Sequence, residues 1–420
     1  MKKQCVLIMG VICFLCVQAP ALWAAEKVSA YTLNDCYQMA LKQSETVAIQ
    51  KEFIKEAEGQ MLQSLSTALP KVFYSYSQQW QDVPKTTWNS QYSPSSVFTL
   101  SQPLFTGFKE FAAISASKHL GRERAAELKR ARELLFTDVS DAFYLYLSYQ
   151  QDEETLSDIQ HALYNQLGEL QKRQLVGRSR LSEVANAEAR LRGNQALIEG
   201  VRAQKEVARQ LLEFLIGGKV SYLEEGLDVE FSDIPQDALM RFSDQRADVV
   251  AASESLELFK NNIVSARSGF FPTVSLTADA YTKRSDINEG NDWDAMIVVS
   301  VPIMNGTTDV GNLRVAKAQK REAELRLSQA RRTASLDIQN AYTRWKLLDS
   351  RRRAFEKAVE ASQKNYRLQK DDFEKNLISN IDLLQSLEDL QNTRRDLVAA
   401  KADARRAFSA FKVATGELLP

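Results

Sequence analysis

The chain has 420 residues, with 54 basic and 54 acidic side chains for a formal net charge of zero, two histidines and four cysteines. Balanced charge leaves no global basic field for nucleic acid. His119, His161 and, past the N-terminal segment, the single Cys36 are too few for a metal cluster, a histidine-based catalytic site or an intrachain disulfide, so no cofactor is expected.

In chain order, the N-terminus reads as an export signal over residues 1–24. Lys2 and Lys3 precede an apolar run from Cys5 to Val17, and the Leu22–Ala25 stretch supplies a cleavage site after Ala24 or Ala25. An N-terminal anchor is the alternative, but the run falls short of the about 20 residues that span a bilayer. Cys13 and Cys16 follow Ile12 and Leu15, where a lipoprotein signal wants a small residue. No apolar stretch past the signal is long enough for a transmembrane helix, so entry into a membrane requires a closed barrel of strands.

Asn34 to Ala68 has helical apolar spacing, with Thr32 or Asn34 as N-cap and Pro70 as stop. Val72–Trp80 switches to period two, with Val72, Tyr74, Tyr76 and Trp80 on one face and Ser75, Ser77 and Gln79 on the other. A polar loop, Gln81–Ser96, leads to a second strand, Val97–Gln102. From Gly107 to about Lys172 there is no proline, which predicts a helix roughly 100 Å long at about 1.5 Å per residue. A turn at Val176–Arg180 and a helix over Leu181–Ile216 follow.

The same series then recurs. Ser101-Gln102-Pro103-Leu104-Phe105-Thr106-Gly107 reads like Ser300-Val301-Pro302-Ile303-Met304-Asn305-Gly306, and the register continues through Asp141-Ala142-Phe143 onto Asn340-Ala341-Tyr342. Leu69-Pro70-Lys71-Val72 matches Phe271-Pro272-Thr273-Val274, and Ser179-Arg180-Leu181-Ser182 matches Ser379-Asn380-Ile381-Asp382. A colinear series of this extent marks a duplication. The expected organisation is a first repeat over 25–216 (strand pair 71–102, helix hairpin 107–216), a segment over 217–244, and a second repeat over 245–420 (strand pair 273–302, helix hairpin 306–415).

Leu327, Ala334, Ala341 and Leu348 recur every seven residues, with Ala316, Ala323 and Ala330 at the alternate position, an alanine-rich coiled-coil seam. Each long helix is twice the length of its partners, so it packs against two shorter helices set end to end. The turns at Val176–Arg180 and Asn376–Asn380 then form the end opposite the strands. Four strands cannot close a barrel, for which about eight is the useful minimum, so closure requires several copies. A periplasmic coiled-coil scaffold without channel activity is the competing reading. A hydrolase finds no phosphate loop, nucleophile elbow or histidine dyad.

The duplicated Pro-Leu-Phe-x-Gly element at Pro103–Gly107, its relative at Pro302–Gly306, and the Leu-Pro and Phe-Pro strand entries resemble the TolC family of outer-membrane efflux and type I secretion channels. The resemblance implies a mostly α fold with a small membrane β part: a homotrimer with a 12-stranded β-barrel in the outer-membrane lipid and a 12-helix periplasmic α-barrel. Residues 217–244 would join an equatorial belt. It implies no enzymatic chemistry, a periplasmic adaptor docked at the helical tips, and an inner-membrane pump of RND, ABC or MFS type. At the second tip the family's pore-lining aspartate falls on Asp382, a second family carboxylate is replaced by Gln385, a basic gating position by Ile378, and the family glycine by Asn376. Gly177, Arg178 and Ser179 at the first tip, with Asn376 and Ser379 at the second, are the candidate adaptor-docking residues.

Overall fold

The computed structural model describes residues 31–80, 92–220, 222–224, 240–284 and 290–416. The signal segment, parts of both strand loops and residues 225–239 lie outside them. The elements are α1 (Leu33–Gln43), α2 (Glu45–Ser66), β1 (Lys71–Trp80), β2 (Tyr92–Phe105), α3 (Lys109–Leu175), α4 (Leu181–Ile216), α5 (Ala247–Arg267), β3 (Thr273–Lys283), β4 (Trp293–Ser300), α6 (Thr308–Glu374) and α7 (Asn380–Thr415). The duplication is visible in the lengths: α3 and α6 have 67 residues each, and α4 and α7 have 36 each.

Two boundaries differ from expectation. The helix expected over Asn34–Ala68 breaks at Ser44, whose extended backbone ends α1 and whose Oγ accepts from Val47 N–H at 3.3 Å to cap α2. Thr32, not Asn34, caps α1, in a reciprocal box with Asp35. The break lets α1 turn into a core cluster with Val139, Phe143 and Leu212, where Cys36, Tyr37 and Ala40 are buried. Tyr31 adds a backbone bridge there, donating to Tyr222 O at 3.0 Å and accepting from Glu224 N–H at 3.1 Å. Burial pushes the Cys36 thiol up to about 12, leaving it inert.

The second difference is β2, which begins at Tyr92 rather than Val97 and contains two prolines. Pro94 pairs with Gln78 of β1, but β2 meets β3 only from Ser96 onward. At Pro94 the strand has one neighbour, so the missing N–H disrupts no second ladder. Pro103 is the mirror case: it pairs with Ser275 of β3, past the last β1 partner at Ser101.

The four strands form one antiparallel sheet in the order β1-β2-β3-β4. The register aligns Val72 with Leu100, Tyr74 with Phe98, Leu100 with Ala278, and Leu276 with Ile297, so one face is a continuous apolar surface. The other face carries Ser75, Ser77, Thr99, Ser101, Ser275, Thr277, Asp279 and Asp294, with Phe73, Met296 and Val298 among them. Every residue of β1 and β4 is exposed, so both edges and both faces of the sheet are uncovered in one chain.

Below the sheet, α3 packs against α2 over its strand-proximal half and α4 over its distal half, while α6 packs against α5 and α7. Contacts of α3 with α5 and α7 join the two repeats. The alanine seam of α6 is buried at Ala316, Ala323, Leu327 and Ala334, which lets neighbouring backbones approach closely. No described helix is long and apolar enough to cross a membrane.

Candidate functional site at the hairpin tips

Both hairpins turn by the same device. At the first tip Gly177 has φ 73°, its N–H reaches Gln174 O at 3.0 Å, and Arg178 N–H reaches Arg173 O at 2.8 Å. At the second, Asn376 has φ 61°, its N–H reaches Phe373 O at 3.0 Å, and Leu377 N–H reaches Asp372 O at 2.9 Å. Each is a Schellman ending with a left-handed residue after the C-cap, which glycine supplies without strain and asparagine tolerates. A Cβ at Gly177 would meet nothing within 4 Å; its requirement is the positive φ.

The following helices are capped alike. Glu183 accepts from Ser179 Oγ at 2.6 Å and Arg180 N–H at 3.1 Å. Asp382 accepts from Ser379 Oγ at 2.6 Å and Ser379 N–H at 3.2 Å. The hydroxyl and then the backbone donor hold both carboxyls below their ordinary values. In one chain Asp382 is therefore a capping carboxylate at a helix N-terminus. Asp382 and Gln385, three residues apart, share an exposed face of α7 opposite the buried Leu383, Leu384 and Leu387. Gln385 Nε2 donates along that face to Asp389 at 3.1 Å. Ile378 does not join them; it packs on the tip core of Leu170, Phe373 and Leu383.

The two tips are tied together. Arg173, at the end of α3, donates to Asn376 Oδ1 at 3.1 Å and lies over the Phe373 ring at 4.5 Å. Gln166 donates to Asn380 Oδ1 at 2.8 Å, and Arg190 of α4 pairs with Glu388 of α7. Sequence reading missed Arg173, which looks like one more charge on a charged helix. It also missed five aliphatic side chains facing solvent at the turns: Leu175, Val176 and Leu181, with Leu377 and Ile381. Their signal was an apolar residue on either side of a polar turn.

The chain thus combines an open sheet with one apolar face and two helices about 100 Å long. The chain belongs to the outer membrane efflux protein family, whose model matches residues 36–218 and 238–417. It is similar to the solvent efflux pump outer membrane protein SrpC of Pseudomonas putida, with 28% identity over 247 residues, 55% of this chain and 51% of that protein. It is also similar to the cation efflux system protein CusC of Escherichia coli K12, with 21% identity over 307 residues, 70% of this chain and 66% of that protein. The chain thus matches about half the length of the first of these relatives. In fold it resembles VceC of Vibrio cholerae (TM-score 0.78, 20% identity, 91% of this chain and 96% of that one). The MtrE outer membrane channel of Neisseria gonorrhoeae is also similar (TM-score 0.76, 21% identity, 91% and 88%).

Proposed function

We propose that this chain is one third of an outer-membrane exit duct that passively conducts substrates out of the cell. The observation that carries this is the sheet. Its apolar face suits lipid, its more polar face suits a water-filled lumen, and its two open edges require pairing with other copies. Three copies close twelve strands, within the range of membrane barrels. At any level four helices of each copy then continue the wall as a twelve-helix periplasmic barrel. In this arrangement residues 1–24 are the export signal and the α1 region with residues 217–244 forms the belt. The tips face an adaptor coupled to an inner-membrane pump.

At the pore end, three copies of Asp382 would form a carboxylate ring favouring cations, with Gln385 beside it. The exposed aliphatics and the Gly177–Ser179 turn are the surface offered to the adaptor. SrpC and CusC are named for solvent and cation efflux; for this chain the pump at the other end selects among such cargoes. The test is fractionation: a heat-modifiable trimer in purified outer membrane supports the duct, and a monomer confined to the soluble periplasmic fraction overturns it.

A further inference from the structure

Where the sheet gives way to the helices, the end of α5 and the first turns of α3 and α6 border an open pocket of about 440 Å³. That volume lies within the range of small-molecule sites. Its lining is mostly polar: Asp309 and Asn312 stand one turn apart on α6, Asn262 and Ser265 one turn apart on α5, and Lys109 opens α3. Beyond α5, Ser268 lies against Gly107 and Gly269 against Asp309, so the starts of α3 and α6 are held at one level. At about 1.5 Å per residue the five polar side chains fall within roughly 10 Å along the helix axes.

Two opposite charges face this pocket without neutralising each other. Lys109 forms no ion pair among the described residues. The neighbouring Glu110 is taken by Thr106 Oγ1. Asp309 accepts from Asn305 Nδ2 at 3.3 Å and has no cationic partner among the described residues. Gly269 fixes where that carboxylate sits, since a Cβ there would collide with Asp309 Oδ1.

The rim above is apolar. Phe108 and Phe111 flank Lys109, Ile303 and Met304 precede Asp309, and all four are exposed. Phe108 holds φ 67°, a strained value for a bulky side chain, and its ring meets Phe105 edge-on at 5.3 Å. Phe105 pairs with Val274 on the apolar face of the sheet, so the rim prolongs that face down to the pocket.

We propose that the pocket binds the headgroup of phosphatidylethanolamine. The phosphate lies against Lys109 and the asparagine amides, the ammonium against Asp309, and the acyl chains along the rim. Separated opposite charges match a zwitterion, and a carboxylate is matched by an ammonium that carries N–H donors. The placement at the membrane surface rests on the duct reading; the pocket and its charges do not.

Tail-labelled phosphatidylethanolamine, phosphatidylcholine and phosphatidylglycerol test this by fluorescence anisotropy on the full chain purified in an uncharged detergent. Choline keeps the positive charge without an N–H, and glycerol has no charge. Phosphatidylethanolamine should bind about tenfold tighter than either. Asp309→Asn should bring it down to the level of phosphatidylcholine and leave the other two within about twofold. Gly269→Ala, which displaces Asp309, should do the same. Lys109→Gln should weaken all three alike, because the phosphate is common to them. Both charge-removing substitutions are at positions open to solvent, and an unchanged melting curve certifies the fold. Equal affinity for the three lipids, a preference unaltered by Asp309→Asn, or no lipid binding by the parent chain would each overturn the assignment. Soluble phosphoethanolamine lacks the chains and should displace the labelled lipid only at far higher concentration; displacement at the lipid's own concentration would make the ligand a free zwitterion and overturn the lipid assignment. A trimer in the outer membrane without this preference sinks the headgroup site alone, whereas absence from that membrane sinks the duct reading.

Discussion

Asn376 occupies the left-handed position that Gly177 fills at the other tip, and it adds what glycine cannot: an acceptor for Arg173. Asn376→Ala keeps the strain and loses the acceptor, so it should cost about 1–2 kcal/mol, whereas Asn376→Gly should cost less. Amide exchange at residues 373–384 reads both. Arg173→Ala removes the bond and the stacking on Phe373 and should raise exchange at both tips together. Buried Arg246 is a sharper case, since it is 1% exposed and bridges Asp248 at 2.6 Å to Asp337 at 3.1 Å. Arg246→Ala removes the cation shared by two partly exposed carboxylates and should cost about 1–3 kcal/mol, read as a lowered melting temperature. The caps predict a pH response. Asp382 and Glu183 have folded values below their unfolded ones, so their contribution is present above the ordinary carboxylate range and is lost as pH falls below it. Exchange at the first turns of α4 and α7 should rise on acidification below about pH 4, and Asp382→Asn should flatten that response for α7. At this scale the sequence marked the tip positions, but not their partners. Asn376 was legible as a departure from glycine, while its link to Arg173 depends on a contact between residues far apart in the chain.

At the level of elements, helix lengths and turn positions were the most legible, because proline exclusion and seven-residue spacing act over many turns. The turns at Val176–Arg180 and Asn376–Asn380 fall where α3 and α6 end. The break at Ser44 was hidden because a serine between two helical stretches reads equally well as a surface position. The start of β2 was hidden because Pro94 normally argues against a strand, and only the staggered pairing with β3 makes it acceptable. The seam of α6 makes a packing prediction. Ala334 is fully buried, so Ala334→Leu overpacks the seam and should cost about 1–3 kcal/mol, while a leucine at exposed Thr333 should be nearly neutral. Thermal unfolding of the two variants distinguishes them. On β4, Ile297 lies on the apolar face with Leu276 opposite. Ile297→Lys should disfavour membrane insertion by about 2–4 kcal/mol near the bilayer midplane, and the fraction recovered in outer membrane measures it.

For the whole molecule, incompleteness is the informative property. A four-stranded sheet exposed on both faces and at both edges is not a stable end state for a chain in water, and helices about 100 Å long exceed what one compact domain encloses. The expectation of closure came from the count of four strands and the duplication. The family match covers both repeats, over residues 36–218 and 238–417. Conduction by the assembled protein is the property on which the duct reading rests, and single-channel recording in planar lipid bilayers measures it directly. Protein extracted from outer membrane should give discrete steps of uniform amplitude that favour cations, with selectivity reduced by Asp382→Asn. Protein that inserts as a trimer yet gives no conductance steps, with no adaptor or pump needed to explain the closure, would contradict it.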